Sequence, residues 1–256
     1  MSKSSNHVLS IQDIRKKFGG MLILDGVNME LEKGKLYQLI GPNGSGKTTL
    51  INIVSGFFKP DGGKITFDGI DITSKNLYHT YKTGLVRTWQ IPQPFVNLTT
   101  LENFLISSNA NSGESFLLAP LKSKWEKDEG KVMDTASEIM EMVNLVKQKY
   151  TSSQNLSGGQ QKLLELGRAM MSGAKMILMD EPIAGVNPTL AHEIFKKISQ
   201  ICKEQKITFL IVEHRLDIAL QYADYVFAMN RGKIIAQGNS EQVIKHPQVI
   251  ESYLGE

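Results

Sequence analysis

The chain has 256 residues, of which 41% are hydrophobic and 21% charged, as expected for one large globular domain or a domain with a small subdomain. Its formal net charge of +3 is small and no segment is dense in lysine and arginine, which argues against nucleic acid as a partner. The single cysteine, Cys202, excludes an internal disulfide, and no apolar run reaches the roughly 20 residues of a membrane span.

The N-terminal part of the chain is predicted to form strands around one loop. Its polar start, MSKSSNHVLS, lacks the apolar segment of a signal peptide. Residues 8–40 have the alternating pattern of strands, and residues 61–73 have the glycine-started pattern of a hairpin. Between them, residues 47–56 are expected to form a helix.

The segment GPNGSGKT, residues 41–48, fits the phosphate-loop pattern G-x-x-x-x-G-K-[ST]. It follows a predicted strand and precedes a predicted helix, a context that the motif requires and that disfavours an incidental glycine-rich turn. Lys47 is expected to reach the β- and γ-phosphates, and the Thr48 hydroxyl to hold Mg²⁺. The other predicted nucleotide contacts of this loop are Gly41, Pro42, Asn43, Gly44, Ser45, Gly46 and Thr49.

The middle of the chain combines a glutamine, an insertion and a helix. In RTWQIPQP, Gln90 follows a strand-like segment and precedes a proline-broken loop, where its amide can bind Mg²⁺ or water. We therefore expect Gln90 to be a catalytic and metal-binding residue. Residues 107–130 are rich in Ser, Asn and Gly and then charged, so we expect a surface loop or irregular insertion. Residues 131–148 are predicted to form a helix with one apolar face. The residues of that face are Ala136, Ile139, Met140, Val143 and Val146.

Residues 155–171, NLSGGQQKLLELGRAMM, place Ser157, Gly158, Gly159 and Gln160 at the start of an apolar-periodic helix. Because the N-terminus of a helix is a ready anion site, the chain carries two candidate phosphate sites on different segments. Two chains arranged head to tail would let each of these segments face the phosphate loop of the other chain. This arrangement predicts ATP-dependent dimerisation.

After this helix, apolar strands alternate with helical segments, a pattern typical of a mainly parallel sheet. The segments are KMILMD, NPTLAHEIFKKISQICKEQ, ITFLIVEH, RLDIALQYA and YVFAMNRGKIIAQG. Cys202 lies in one of the helical segments and is expected to act as a small buried hydrophobe.

Two of these strands lead to candidate metal-binding and catalytic residues. Asp180 ends the first, where its carboxylate can hold Mg²⁺ directly or through water, and Glu181 is expected to polarise the attacking water. The phosphate loop disfavours the alternative that both acids are solvated turn residues. His214 ends the second strand and is expected to donate a hydrogen bond to the γ-phosphate, although a satisfied strand-end histidine is the common alternative.

The segments GPNGSGKTT, Gln90, LSGGQ, MILMDEP and VEH stand in the order found in ATP-binding cassette (ABC) ATPases, and the resemblance covers essentially the whole chain. It implies an α/β fold: a P-loop NTPase core with a mainly parallel sheet, an antiparallel N-terminal β subdomain and a helical signature-motif subdomain. The implied boundaries are 8–90 and 166–256 for the nucleotide-binding core with its β subdomain, and 91–165 for the helical subdomain.

The resemblance also implies roles for individual residues. Phe18 matches the aromatic residue that stacks on adenine, and Gln90 matches the glutamine that links the metal site to a transmembrane partner. Glu181 matches the catalytic glutamate and His214 the switch histidine. Asn187 stands where many cassettes have Asp, which weakens the case for an acidic group there that tunes the neighbouring site.

Further segments resemble the ATP-binding subunits of branched-chain amino acid importers: the glycine pair after Phe18, AGVNP and the terminal YLGE. This implies ATP and Mg²⁺, two transmembrane permease subunits, an extracytoplasmic substrate-binding protein, and a location at the cytoplasmic face of the cell membrane. It also implies a second cassette, homologous or identical, and favours a pair of two different cassettes. The alternatives are a cassette for urea, amides or lipopolysaccharide, or a soluble cassette ATPase of DNA repair or translation. A non-hydrolysing module would be expected to lack Glu181 or His214.

Overall fold

The structure is a computed structural model that describes residues 7–109 and 122–254. These residues form two compact units. The first takes the described residues up to Gln90 and from Lys175 onward, and the second takes those from Ile91 to Ala174. The functional subdomain boundaries given above stay a prediction.

All the strands of the described residues belong to the first unit. In chain order they are β1 (His7–Phe18), β2 (Met21–Glu32), β3 (Leu36–Ile40), β4 (Gly62–Phe67), β5 (Ile70–Asp71), β6 (Leu85–Arg87), β7 (Met176–Asp180), β8 (Thr208–Val212), β9 (Tyr225–Asn230) and β10 (Lys233–Gly238). The α-helices are α1 (Lys47–Val54), α2 (Leu77–Lys82), α3 (Thr100–Leu105), α4 (Lys122–Met142), α5 (Gly158–Met171), α6 (Pro188–Gln205), α7 (Leu216–Ala219), α8 (Ser240–Ile244) and α9 (Pro247–Leu254).

The strands form two sheets. One is antiparallel, in the order β2-β1-β4-β5, and contains the predicted hairpin and the predicted N-terminal strands up to Glu32. The other has the order β10-β9-β3-β8-β7-β6, and its neighbours are parallel except for the edge pair β9–β10. Every residue of β3, β7 and β8 is buried, which explains why these strands are mostly apolar in the sequence.

One core cluster of the described residues joins the two sheets and α1. It includes Leu9, Val27 and Phe67 of the antiparallel sheet, Leu39, Leu210 and Phe227 of the parallel sheet, and Leu50 and Ile53 of α1. Each large apolar side chain that is fully buried contributes about 1.5–3 kcal/mol, so this cluster fixes α1 against the end of β3. The loop between β3 and α1 is therefore held at both ends.

The parallel register gathers several loops at one edge of the sheet. Leu39 of β3 and Asp180 of β7 both pair with Val212 of β8, so these three strands end together. Ligands of open α/β sheets bind outside the carboxyl ends of the strands. This edge carries the phosphate loop after β3, Glu181 after β7 and His214 after β8.

The second unit contains α3, α4 and α5. Its α4 begins at Lys122, so the prediction of an irregular segment is wrong for residues 122–130, and residues 110–121 lie outside the described part of the chain. The segment is rich in Lys and Glu, which are good helix formers, and the isolated Gly130 is tolerated inside the helix.

The predicted C-terminal end of this helix is also wrong. The helix ends at Met142, and Asn144 adopts a left-handed backbone with φ +58°. Val146 therefore lies in a short 3₁₀ turn and is 50% exposed. The other four residues predicted for the apolar face are buried.

Cys202 is buried in α6, as predicted, and burial raises the pKa of its thiol to about 12.

Among residues 7–109 and 122–254, none of the helices has both the length and the apolar character that crossing a bilayer requires.

Candidate active site

The phosphate loop leaves the end of β3 at Gly41. Its φ of +149° and its closeness to the Met229 carbonyl leave no room for a side chain, because a Cβ atom there would overlap that oxygen. The loop is held by hydrogen bonds from the Ser45 N–H to the Pro42 carbonyl (3.2 Å) and from the Gly232 N–H to the Ser45 carbonyl (2.9 Å). The result is a tight cradle that ends at the N-terminus of α1.

Lys47 lies inside this cradle. Its Nζ donates to the carbonyl oxygens of Gly41 (2.7 Å) and Pro42 (2.8 Å), and the residue is buried. Thr48, which follows it in the first turn of α1, is exposed. An ammonium group and a helix N-terminus that face the same cradle favour an anion such as a phosphate.

Asp180 is a buried carboxylate at the end of β7. Burial raises the pKa of its carboxyl group, and the Arg87 guanidinium, with Nη2 3.6 Å from Asp180 Oδ2, acts in the opposite direction. The sequence motifs did not point to Arg87. The available signal was a basic residue at the end of the strand that leads to Gln90.

The structure brings three predicted catalytic residues together around the Glu181 carboxylate. Gln90 Nε2 donates to Glu181 Oε2 at 2.6 Å, and His214 Nε2 lies 3.0 Å from Glu181 Oε1. Glu181 also has a φ of +50°, which is an uncommon and strained conformation for a residue other than glycine. Its two partners and this backbone conformation together orient the carboxylate.

Glu213 is a second residue whose contribution was missed at the level of sequence. It is buried, which raises the pKa of its carboxyl group against the opposing effect of backbone donors. Its carboxylate accepts hydrogen bonds from the N–H groups of Ile183 (2.9 Å) and His214 (3.1 Å). It therefore ties the loop that carries His214 to the loop that carries Glu181.

In the second unit, the predicted signature segment forms the start of α5. Ser157 is the N-cap: its Oγ accepts from the Gln160 N–H at 3.3 Å, and Gln160 Oε1 accepts from the Ser157 N–H at 2.9 Å. This reciprocal capping box fixes the first turn of the helix. Ser157 and Gly158 are exposed, whereas Gly159 is buried.

Phe18 ends β1 and is 41% exposed. Its ring and that of Phe58 meet edge to face with centroids 5.2 Å apart, and Lys16 Nζ lies 5.3 Å from the Phe18 ring centroid. This packing holds the ring while part of its surface stays accessible, as a stacking residue requires.

The oxygen donors at the sheet edge fit a magnesium ion that is bound together with a nucleotide. Among the residues that the structure describes, no three His, Cys, Asp or Glu side chains converge to form a metal site of their own. Mg²⁺ commonly takes one or two carboxylates together with phosphate oxygens of the substrate. The Asp180 carboxylate, with the Thr48 hydroxyl and the Gln90 amide oxygen, is a donor set of this type.

Comparison with models of known protein families shows which family the chain belongs to. The model described as ABC transporter matches residues 24–184, which is more than half of the chain. The chain belongs to the ABC transporter family. A second model, described as branched-chain amino acid ATP-binding cassette transporter, matches residues 233–256 of this cassette.

Two relatives of this cassette are described as probable branched-chain amino acid transport ATP-binding proteins LivG. The protein from Archaeoglobus fulgidus is 46% identical over 97% of this chain and 95% of its own length. The protein from Methanocaldococcus jannaschii is 46% identical over 99% of this chain and 100% of its own length.

A solved structure, described as the ADP conformation of an ATP-binding cassette of an ABC transporter, is also 46% identical to this cassette. The match spans 98% of this chain and 99% of the chain in the solved structure, with a TM-score of 0.84. These matches confirm the predicted family, its ATPase class and the cassette fold. The roles of the individual residues stay predictions.

Proposed function

We propose that this cassette hydrolyses ATP to drive an importer of branched-chain amino acids. The observation that carries the hydrolytic role is the Glu181 carboxylate, held between Gln90 and His214 beside Asp180. The names of the two relatives and the C-terminal family match support the substrate class.

In this proposal the chain positions the triphosphate and a water molecule. Lys47 and the backbone N–H groups of the phosphate loop bind the β- and γ-phosphates, and Thr48, Asp180 and Gln90 would hold Mg²⁺. The bound ion would neutralise charge on the phosphates.

Glu181 accepts a hydrogen bond from the attacking water and orients it toward the γ-phosphate. His214, whose backbone N–H donates to Glu213, lies beside the Glu181 carboxylate and would donate its ring N–H to the γ-phosphate when nucleotide is bound. Phosphoryl transfer depends mainly on positioning and charge stabilisation, which suits a site that is built from fixed side chains.

The proposed partners are a second cassette, two transmembrane permease subunits and an extracytoplasmic substrate-binding protein. The exposed Ser157 and Gly158 at the start of α5 would cap the γ-phosphate held by the other cassette. The loop after Gln90 begins with the exposed Ile91 and includes the exposed Phe95, and would contact a permease. The cassette would then work at the cytoplasmic face of the cell membrane.

The variant Glu181→Gln tests the hydrolytic role. It keeps the shape of the side chain and a hydrogen bond acceptor but removes the charge, so we expect ATP turnover to fall by at least about 100-fold. Affinity for ATP should stay within about threefold of the parent value, because Glu181 acts on water rather than on the nucleotide. A matched control is Glu141→Gln, which changes an exposed carboxylate of α4. Turnover of Glu181→Gln at the parent rate would contradict the role of Glu181.

The substrate class needs a test of its own. Cells that lack this chain should lose uptake of labelled leucine, isoleucine and valine, and regain it when the chain is restored but not when Glu181→Gln is supplied. Normal uptake of these three amino acids with loss of urea or amide uptake would contradict the proposed substrate and favour a related importer.

A further inference from the structure

Arg87 is a buried charged residue that the proposed mechanism does not use. Its side chain is 5% exposed, and its Nη2 lies 3.6 Å from Asp180 Oδ2. Its Nη1 donates to Asn52 Oδ1 in α1, the helix that starts at the phosphate loop. One guanidinium group therefore connects the helix of the phosphate loop to the carboxylate that ends β7.

Trp89 covers this guanidinium. The central carbon of the Arg87 guanidinium lies 4.5 Å from the centroid of the Trp89 ring, which is the geometry of a cation–π contact. Trp89 also meets the ring of Phe57 edge-on, with centroids 6.2 Å apart. The next residue, Gln90, donates to Glu181, so the short segment from Arg87 to Gln90 holds both carboxylates of the site.

We propose that Arg87 is a positioning residue for the metal site, which orients the Asp180 carboxylate toward the cation that accompanies the nucleotide, and that Trp89 holds Arg87 in place. The inference rests on the proposed Mg²⁺ site at Asp180. Groups that orient a metal ligand from the outside commonly change metal affinity or activity 10- to 100-fold when they are removed.

A purely structural ion pair predicts a different outcome. Replacing a buried ion pair member by an apolar side chain alters the free energy of unfolding, but it gives no reason for the metal alone to bind less well. Nε of Arg87 makes no hydrogen bond within the described residues. The side chain is therefore held by Asp180, Asn52 and Trp89 rather than by a full set of hydrogen bonds.

The test measures how much Mg²⁺ strengthens binding of the non-hydrolysable analogue AMP-PNP. The dissociation constant is determined by calorimetry in Mg²⁺ and again in EDTA, for the unaltered chain and for Arg87→Met. The gain from Mg²⁺ is the ratio of the dissociation constant in EDTA to that in Mg²⁺. We expect this ratio to fall about tenfold in Arg87→Met, while the dissociation constant in EDTA changes less than about twofold. No hydrolysis takes part in this readout.

Three further variants sharpen the test. Arg87→Lys keeps the charge but not the planar fork that reaches both Asp180 and Asn52, so it should restore only part of the gain. Trp89→Leu removes the ring over the guanidinium and should lower the gain about threefold. Arg15→Met is the matched control, because Arg15 pairs with Asp13 on the exposed surface of the antiparallel sheet. It should leave the gain unchanged.

An unchanged Mg²⁺ gain in Arg87→Met would overturn the proposal. So would an equal loss of affinity in Mg²⁺ and in EDTA, because that result assigns Arg87 to the nucleotide pocket as a whole. If the unaltered chain itself shows no gain from Mg²⁺, the proposed metal site fails and the role of Arg87 fails with it, whereas a gain that Arg87→Met leaves unchanged overturns only the role of Arg87. If Arg87→Met does not fold, Arg87→Lys and Trp89→Leu decide the same question.

Discussion

The phosphate loop requires a glycine at position 41. A side chain at this position would overlap the Met229 carbonyl oxygen of the neighbouring strand, and the loop would have to move. The cradle around Lys47 depends on the present path of the backbone, because the Lys47 ammonium is held by the carbonyls of Gly41 and Pro42.

We predict that Gly41→Ala lowers affinity for AMP-PNP by at least about tenfold, because overpacking by one methyl group displaces the cradle. Calorimetric titration measures the change. Gly44→Ala is the comparison, because Gly44 also has a positive φ of +74° but a Cβ atom there meets nothing within 4 Å. We expect Gly44→Ala to lower affinity for AMP-PNP less than Gly41→Ala does. Equal losses of affinity in the two variants would contradict the steric explanation.

At the residue scale, motifs predicted where several candidate residues lie in the fold, whereas their roles stay predictions. Lys47, Asp180, Glu181 and His214 follow strands or a glycine-rich loop, and the fold places each at the expected end. Glu213 was missed because its carboxylate is satisfied by backbone N–H groups of a distant loop, and no residue spacing encodes that arrangement. Arg87 was missed for the same reason, since its partners come from other elements.

At the element scale, Asn187 has a local role that the resemblance to other cassettes did not suggest. Its Oδ1 accepts a hydrogen bond from the Leu190 N–H at 2.9 Å, so it is the N-cap of α6, and Pro188 follows at the first helical position. Asparagine and aspartate are about equally good in this position.

We therefore predict that Asn187→Ala lowers the free energy of unfolding by about 1 kcal/mol, whereas Asn187→Asp leaves it nearly unchanged. Urea unfolding followed by circular dichroism measures both values. Equal stability of Asn187→Ala and the unaltered chain would mean that the cap contributes nothing to α6.

Gly167 in α5 shows a packing requirement within the second unit. A Cβ atom there would overlap the ring of Phe104, which is fully buried in α3. Alanine is normally the better helix residue by about 1 kcal/mol, so the two effects oppose each other.

We predict that overpacking dominates and that Gly167→Ala lowers the free energy of unfolding by about 1–3 kcal/mol. Gly130→Ala is the matched control, because Gly130 lies inside α4 with open space where its Cβ atom would be. That change should stabilise the chain by roughly 0.5–1 kcal/mol. Thermal unfolding of both variants measures these changes. Stabilisation by Gly167→Ala would contradict the prediction that overpacking dominates.

Helix boundaries were harder to predict than the presence of helices. The charged segment before Gly130 was expected to be irregular, yet α4 includes it from Lys122. The left-handed Asn144 ends the helical region before Val146, although the apolar spacing continues. Apolar periodicity indicates which residues face a core, but it does not indicate where a helix ends and the backbone turns.

At the scale of the whole molecule, the parallel sheet explains why motifs that are far apart in sequence act together. Register pairs the ends of β3, β7 and β8, so the loop after each strand reaches the same edge. The order of strands and helices predicted a mainly parallel sheet, and the meeting of these loops follows from it. It did not predict the pairings within the edge, such as Gln90 and His214 on opposite oxygens of Glu181, because these depend on side-chain geometry.

The central claim is that the start of α5 in one cassette caps the ATP held by another. The most direct test is the molar mass of Glu181→Gln in ATP, measured by size-exclusion chromatography with light scattering. A second sample also carries Ser157→Asp, which keeps an N-cap residue for α5 but places a negative charge toward the γ-phosphate.

We predict a species of twice the 28.5 kDa chain mass for Glu181→Gln in ATP, and a monomer in ADP and in the Ser157→Asp sample. A monomer of Glu181→Gln at saturating ATP would contradict the pairing of two copies of this chain. A dimer that persists with Ser157→Asp would show that the signature segment does not contact the nucleotide.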